Sequence, residues 1–439
     1  MTNRSRKVLH LALPIIGGMV SQNVLNLVDT AMVGQLGDDA LAAVGLASFV
    51  NFLVTAFILG ISPSVQAIAA RRVGEGKQAE SAVALNGGIL ISVVIAVPWQ
   101  TLLFYSADLI FPQLIDDLDV IAAAVPYLQS RVVAMVAMGI NYSFRGYWNA
   151  TDRSMLYMRT LLVMHVCNIA LNWILIFGHW GAPALGPTGA GIASAIATYV
   201  GTISYAFLGL RHARKEGFLI GVPPWTTLKT MLRLAVPSGI QQTFFAGGMV
   251  AFFVIVGKVG TKELAATQVL TQLLLVGILP GLGFGLAAAS LVGQALGRQD
   301  VEDARRWGWE VARIACAVIF LLSLPAIFVP GWMLHFFIHD AETLKLAIAP
   351  LRIVGISLCG DVVGMVLMNA IVGAGATLQV MFVSLGMQWL VFLPFAYFIG
   401  PVSGFGLTAI WICNVCYRLT QSLVFALLWR QGSWARTSV

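Results

Sequence analysis

Two carboxylates stand deep inside long apolar runs of this chain, Asp29 and Asp361. A charged side chain at the centre of a membrane helix costs about 2.5–3.5 kcal/mol on insertion scales, so each of them asks for a chemical reason. Burial disfavours the charged form, whereas water or a nearby cation favours it, so such an acid can take up a proton in one state and release it in another. Polar neighbours at helical spacing strengthen this reading for Asp29. Gln22, Asn26 and Asp29 follow i, i+4, i+7 and share one helix face, and His165, Asn168 and Asn172 share a face of another apolar run. Amides there can donate to a carboxylate or accept from a protonated acid, so Asp29 would keep different partners in its two states. A plainer role is open to each: Asn and Gln often hold membrane helices together, a lone His is often a hydrogen-bonding spacer, and Asp361 could serve a static structural purpose. Pro14, followed by Gly17 and Gly18, weakens the helix that carries Asp29 and is the candidate hinge, although Pro and Gly are frequent in membrane helices in any case. Pro237 with Gly247 and Gly248 offers a related weakness later in the chain.

The elements that position these residues are membrane spans. Of 439 residues, 59% are hydrophobic and 10% charged, and the mean hydropathy is +0.86, which no water-soluble chain of ordinary composition approaches. Hydropathy and loop breakers place twelve spans, near 8–34, 41–71, 81–105, 121–145, 154–178 and 189–211 in the first half. The second half gives 226–258, 263–293, 305–329, 344–372, 375–400 and 405–430. The first is too long for a removable signal peptide, and no soluble domain fits between the spans. With the N-terminus in the cytoplasm, only Lys258, Lys262 and Lys345 fall outside and Arg131, Arg313, Arg352 and Arg418 deep within spans, while every other Lys and Arg lies in a cytoplasmic segment or near the cytoplasmic end of a span. The positive-inside rule therefore predicts a multi-pass membrane protein with both termini cytoplasmic, and an inner membrane is expected.

The net charge of +7 comes from short loops without a basic stripe, which points away from nucleic acid. The five cysteines lie in apolar segments, so the Cys413 and Cys416 spacing is read as chance and no metal or other cofactor is expected. No Ser/His/Asp set or metal-ligand cluster converges on one face, so an enzyme is not expected either. A monomer in the lipid bilayer is.

Self-comparison shows a repeat, because residues 11–76 align without a gap to residues 234–299, an offset of 223. LALP at 11 matches LAVP at 234, Gly34 and Gly37 match Gly257 and Gly260, and LAA at 41 matches LAA at 264. Six spans per half is an even number, so the halves share one orientation. The expected fold is an all-α membrane protein of twelve helices in two six-helix bundles related by a parallel pseudo-twofold repeat. The bundles are expected at 1–212 and 213–439, the second including a cytoplasmic linker at 213–229. Such a pair with a central cleft suits alternating access.

The first-helix pattern LALPII followed by NLVDTAMVGQLG, the fifth-helix pattern NIALNWILIFG and the LAVP and VGKVG of the seventh helix resemble the multidrug and toxic compound extrusion family. The likeness covers nearly the whole chain. It implies a secondary antiporter that exports amphipathic or cationic small molecules in exchange for protons or sodium ions. Within the family the chain looks most like the prokaryotic DinF-like branch, whose essential first-helix acid Asp29 matches; a fifth-helix acid of that branch is here Asn172. The NorM-like branch has a seventh-helix glutamate where this chain has Phe245, which disfavours a sodium site of that kind, while Asp361 matches an acid of that branch and is the second candidate ion site. Proton-coupled export is thus the expectation, with sodium-coupled export or a flippase for lipid-linked precursors as alternatives; the flippase would call for a strongly cationic cleft.

Overall fold

The computed structural model describes residues 3–338 and 340–437, and every regular element among them is helical. Eleven helices are long and apolar enough to cross a membrane, and one bent pair makes the twelfth span. In chain order they are α1 (Asn3–Gly34), α2 (Asp38–Gly74), α3 (Gln78–Gln113), α4 (Leu118–Val132 with Met135–Ala150, bent by 46°), α5 (Ser154–Phe177) and α6 (Gly186–His212). The second half gives α7 (Trp225–Gly257), α8 (Thr261–Gly297), α9 (Val301–Phe328), α10 (Ala341–Gly373), α11 (Thr377–Val402) and α12 (Gly406–Gln431). The twelve-span, all-α expectation is met. At 32 residues α1 is about 48 Å long, more than a hydrocarbon core needs, so its ends project beyond it.

Departures from regular helix have local causes. In α2 a tight turn at Ala56–Gly60 replaces the α-helical one, and at Gly60 another backbone comes close. A Cβ there would lie 2.3 Å from the Gly239 nitrogen and 2.5 Å from the Ala235 oxygen of α7. In α11 the ladder widens at Gly386–Phe392 and Phe398–Val402, next to Pro394 and Pro401, whose rings cannot donate to the α-helical acceptor.

Packing divides the chain into two compact units, residues 17–239 and residues 1–16 with 240–439. This cut differs from the halves 1–212 and 213–439 because α1 and α7 are long enough for their two ends to belong to different bodies. The exchange falls after Ile16 in α1 and after Gly239 in α7, positions 223 residues apart, just beyond Pro14 and Pro237. In the first unit α2 and α3 pack on α4, and α5 on α6. In the second, α10 is the hub against α8, α9 and α12, and its core includes Val8, Leu11 and Ala12 of α1 with the stacked Trp429 and Trp434.

The repeat is a repeat of contacts as well as of letters. Gly60 meets Gly239 inside the first unit; at offset 223 their counterparts are Gly283 and Ile16, and a Cβ on Gly283 would lie 2.4 Å from Ile16 Cγ1 inside the second. Small residues at this crossing let two helices approach closely, as membrane packing requires where no hydrophobic force drives association.

Candidate functional site

Within the first unit, α1 and α5 run in parallel and touch through two polar rungs. Asn172 Nδ2 donates to Asp29 Oδ1 at 2.6 Å, and His165 Nε2 donates to Gln22 Oε1 at 3.2 Å. Both rungs join residues 143 apart in sequence, and a constant separation is what two parallel helices in fixed register give. The rungs are two helical turns, about 10 Å, apart. Asn172 and Asn168 are buried and Asp29 is half-buried.

The network extends to a third helix. With the Asn168 amide one way round its Oδ1 accepts from Asn172 Nδ2 at 3.1 Å; turned over, it gives up that bond and is better satisfied, with its nitrogen donating to Asp29 Oδ1 at 2.9 Å. Its oxygen then accepts from the Ser194 hydroxyl of α6 at 3.1 Å. Asp29 thus accepts two amide N–H bonds from α5, and Arg131 of α4 adds a coulombic attraction. Among the described residues, Asn172 Oδ1 is buried without a hydrogen-bond partner. Gln22 Nε2 reaches Asn26 Oδ1 at 3.2 Å, so Asn26, which is exposed, touches the network through Gln22 and not through the acid.

The structure brings Gln22, Asn26, Asp29, His165, Asn168 and Asn172 together and keeps Asp361 in another environment. In the second unit Arg418 Nη2 of α12 donates to Asp361 Oδ2 at 2.5 Å. The two side chains are 20% and 10% exposed, so a tethered cation occupies the carboxylate. Pro14 is buried, and α1 is one unbroken helix through it.

The corresponding rungs of the second unit show what is particular to the first. Gln388 Nε2 of α11 donates to the Phe245 carbonyl of α7, the counterpart of the His165–Gln22 rung, and Gln241 Nε2 donates to Ser384 Oγ where the first unit has Gly18 and Leu161, again with partners 143 apart. The register is conserved between the halves while the chemistry is not. At offset 223 Phe252 stands for Asp29 and Phe395 for Asn172, and Phe252 packs on Phe392 and Trp411 in an apolar cluster. A carboxylate at this place is therefore not something the scaffold needs.

Sequence reasoning missed Ser194 and the Asp361–Arg418 pair. The pair had a signal: a cation inside a span needs a partner there, and Asp361 was the acid deep in a span of the same half. Ser194 lies in a run of small residues, GAGIASA, that gives no hint which one points at the network.

The family model of MatE matches residues 14–174 and 237–398, two blocks that begin 223 residues apart as the internal repeat does. The chain belongs to the MatE family. Its members are transporters rather than enzymes, and this one is a multi-pass membrane protein. Among relatives, "Probable multidrug resistance protein NorM" of Synechococcus is 28% identical over 422 residues, 93% of this chain and 89% of that protein. The NorM protein of Thermotoga maritima is 26% identical over 453 residues, 99% and 94% of the two chains. Among solved structures, an outward-facing multidrug resistance MATE transporter of the MOP superfamily superimposes with a TM-score of 0.91 at 21% identity, covering 100% of this MatE chain and 98% of its own.

Proposed function

We propose that this MatE protein is a proton-coupled antiporter that exports amphipathic or cationic small molecules by alternating access, with Asp29 as the coupling acid. The observation that carries the reading is the pair of rungs between α1 and α5, which gives Asp29 donors for its charged form and an idle acceptor for its neutral form. Charged Asp29 takes N–H bonds from Asn172 and Asn168. Neutral Asp29 carries a donor of its own, and the buried, unpartnered Asn172 Oδ1 can accept it once that amide turns. Proton uptake thus reverses the sense of the Asp29–Asn172 bond and weakens a charge-assisted contact worth about 1.5–3 kcal/mol. The outer half of α1, freed from α5, leans about the segment weakened at Pro14, and the substrate space shrinks. A proton moving inward contributes about 2.3 kcal/mol per 100 mV of membrane potential, comparable with the bond it disturbs.

The family and the names of the NorM relatives support multidrug export, and the basic loops support cytoplasmic termini. Phe245 and Phe252 on α7, and the tethering of Asp361 by Arg418, favour protons over sodium ions and the DinF-like over the NorM-like branch. The test is transport of a fluorescent cationic dye into everted vesicles, energised separately by a pH gradient and by a sodium gradient. Transport is expected under the pH gradient and lost in Asp29→Asn, whose amide mimics only the neutral acid. Normal export by Asp29→Asn under a pH gradient, or export driven by sodium alone, refutes the reading.

A further inference from the structure

On the face of α5 turned away from α1, a groove of about 730 Å³ runs between α5 and α6. Its floor is buried Thr160 with half-buried Leu156 and Leu208, and its walls include Val163, Ile203 and Phe207, which are 50%, 69% and 63% exposed. At the end of the groove, where α5 begins and α6 stops, stand Arg159, Arg211 and His212. Both arginines are exposed, and among the described residues neither has a carboxylate within ion-pair distance. Several other arginines near helix ends do have one, Arg4 with Asp303 and Glu310, Arg72 with Glu75, Arg153 with Glu216, and Arg306 with Glu302, whereas Arg430 at the end of α12 has none among the described residues.

We propose that this groove is a binding site for an anionic phospholipid, with the headgroup phosphate on Arg159 and Arg211 and an acyl chain along Val163, Ile203 and Phe207. The arginines lie at the helix ends, where headgroups sit, and the apolar walls lie one to two turns deeper, where hydrocarbon begins. Unpaired guanidinium groups match phosphate in charge and in fork geometry. The cation on α5 is not imposed by the repeat. At offset 223, Phe382 stands where Arg159 does. Nor does the groove belong to the polar network, since Arg159 and Val163 point to the side of α5 opposite His165 and Asn172.

The test uses the purified full chain equilibrated in vesicles of equal parts phosphatidylglycerol and phosphatidylcholine, extracted gently, with the retained lipids quantified by mass spectrometry. The wild type is expected to retain phosphatidylglycerol in preference to phosphatidylcholine. Each of Arg159→Gln and Arg211→Gln is expected to weaken that preference about fivefold, the equivalent of about 1 kcal/mol per cation at the membrane surface. Lys215→Gln, exposed nearby but outside the groove, is expected to leave it unchanged. Ile203→Gln checks the acyl half and is expected to lower retention without changing the arginines. Equal retention of the two lipids by the wild type overturns the proposal and needs no variant to fold. Loss in Lys215→Gln as large as in the arginine variants overturns it as well, since a diffuse positive field then suffices. So does displacement of phosphatidylglycerol by inorganic phosphate alone, which marks a bare anion site.

Discussion

If Arg418 is the built-in partner of Asp361, the two residues should behave as one unit in a double-mutant cycle. The perturbations are Asp361→Asn, Arg418→Gln and the two together. Removing one partner of a fully buried ion pair costs about 3–5 kcal/mol, because the other charge is left uncompensated. Here the guanidinium is 20% and the carboxylate 10% exposed, so partial solvation lowers this to about 2–4 kcal/mol for each single variant. Arg418 also approaches Met365 Sδ at 3.8 Å, a weak contact that cannot replace the acid. The double variant leaves two neutral amides able to bond each other, and should recover most of the loss, an interaction energy of about 1–3 kcal/mol.

The assay is thermal unfolding of purified protein, followed by dye labelling of its buried thiols, beside dye export in everted vesicles. Cys316, Cys359 and Cys413 are partly buried in the same unit and report its opening. Both singles should lose stability, the double should regain it, and export should follow stability. Asp361→Asn that stays fully stable yet loses export, with no recovery in the double variant, refutes the structural pairing and makes Asp361 an ion site.

Asn172→Ala removes the 2.6 Å donor to Asp29 and should alter the pH profile of export, whereas Asn26→Ala, which touches only Gln22 and its own helix, should leave that profile in place; a common response of both rejects the two-rung description. Gly60→Ala puts a Cβ 2.3 Å from the Gly239 backbone nitrogen and should destabilise by about 1–3 kcal/mol through overpacking, although Ala is ordinarily the better helix former. Gly45→Ala, where a Cβ meets nothing within 4 Å, should be neutral or stabilising in the same thermal assay. Pro14→Ala restores a backbone donor to α1 and favours its straight form by up to about 3 kcal/mol; export should slow while the protein unfolds no earlier, and unchanged export removes Pro14 from the hinge.

The spans and the parallel repeat were legible because a bilayer imposes two strong rules, a minimum apolar length and a bias of basic loops. Asp29 and its amide stripes were legible for a related reason: polar groups are rare in such helices, so their spacing stands out against a nearly uniform background. What the spacing could not give was which stripes face each other. The register of α1 on α5 is set by the fit of Gly17 and Gly18 against Met158, Tyr157 and Leu161, where an added Cβ would lie at 2.9–3.0 Å. Nor could it give the exchange of helix ends between units, since Pro14 and Pro237 look the same whether they bend a helix inside one body or mark its passage to another.

The comparison of rungs suggests where in this architecture function can be added. The sequence repeat gives each unit the same helix register, shown by the shared separation of 143 residues in both, and the same close crossing at Gly60 and Gly283. Those features hold the fold, and they hold it twice. The features that could do chemistry break the repeat: Asp29 against Phe252, Asn172 against Phe395, and Arg159 against Phe382. A buried acid costs stability in one unit that the other avoids by packing Phe252 into an apolar cluster. Such a cost is kept only where the charge is used. In the proposed coupling a proton alters the contacts of a single helix, α1, which itself contributes residues to both units.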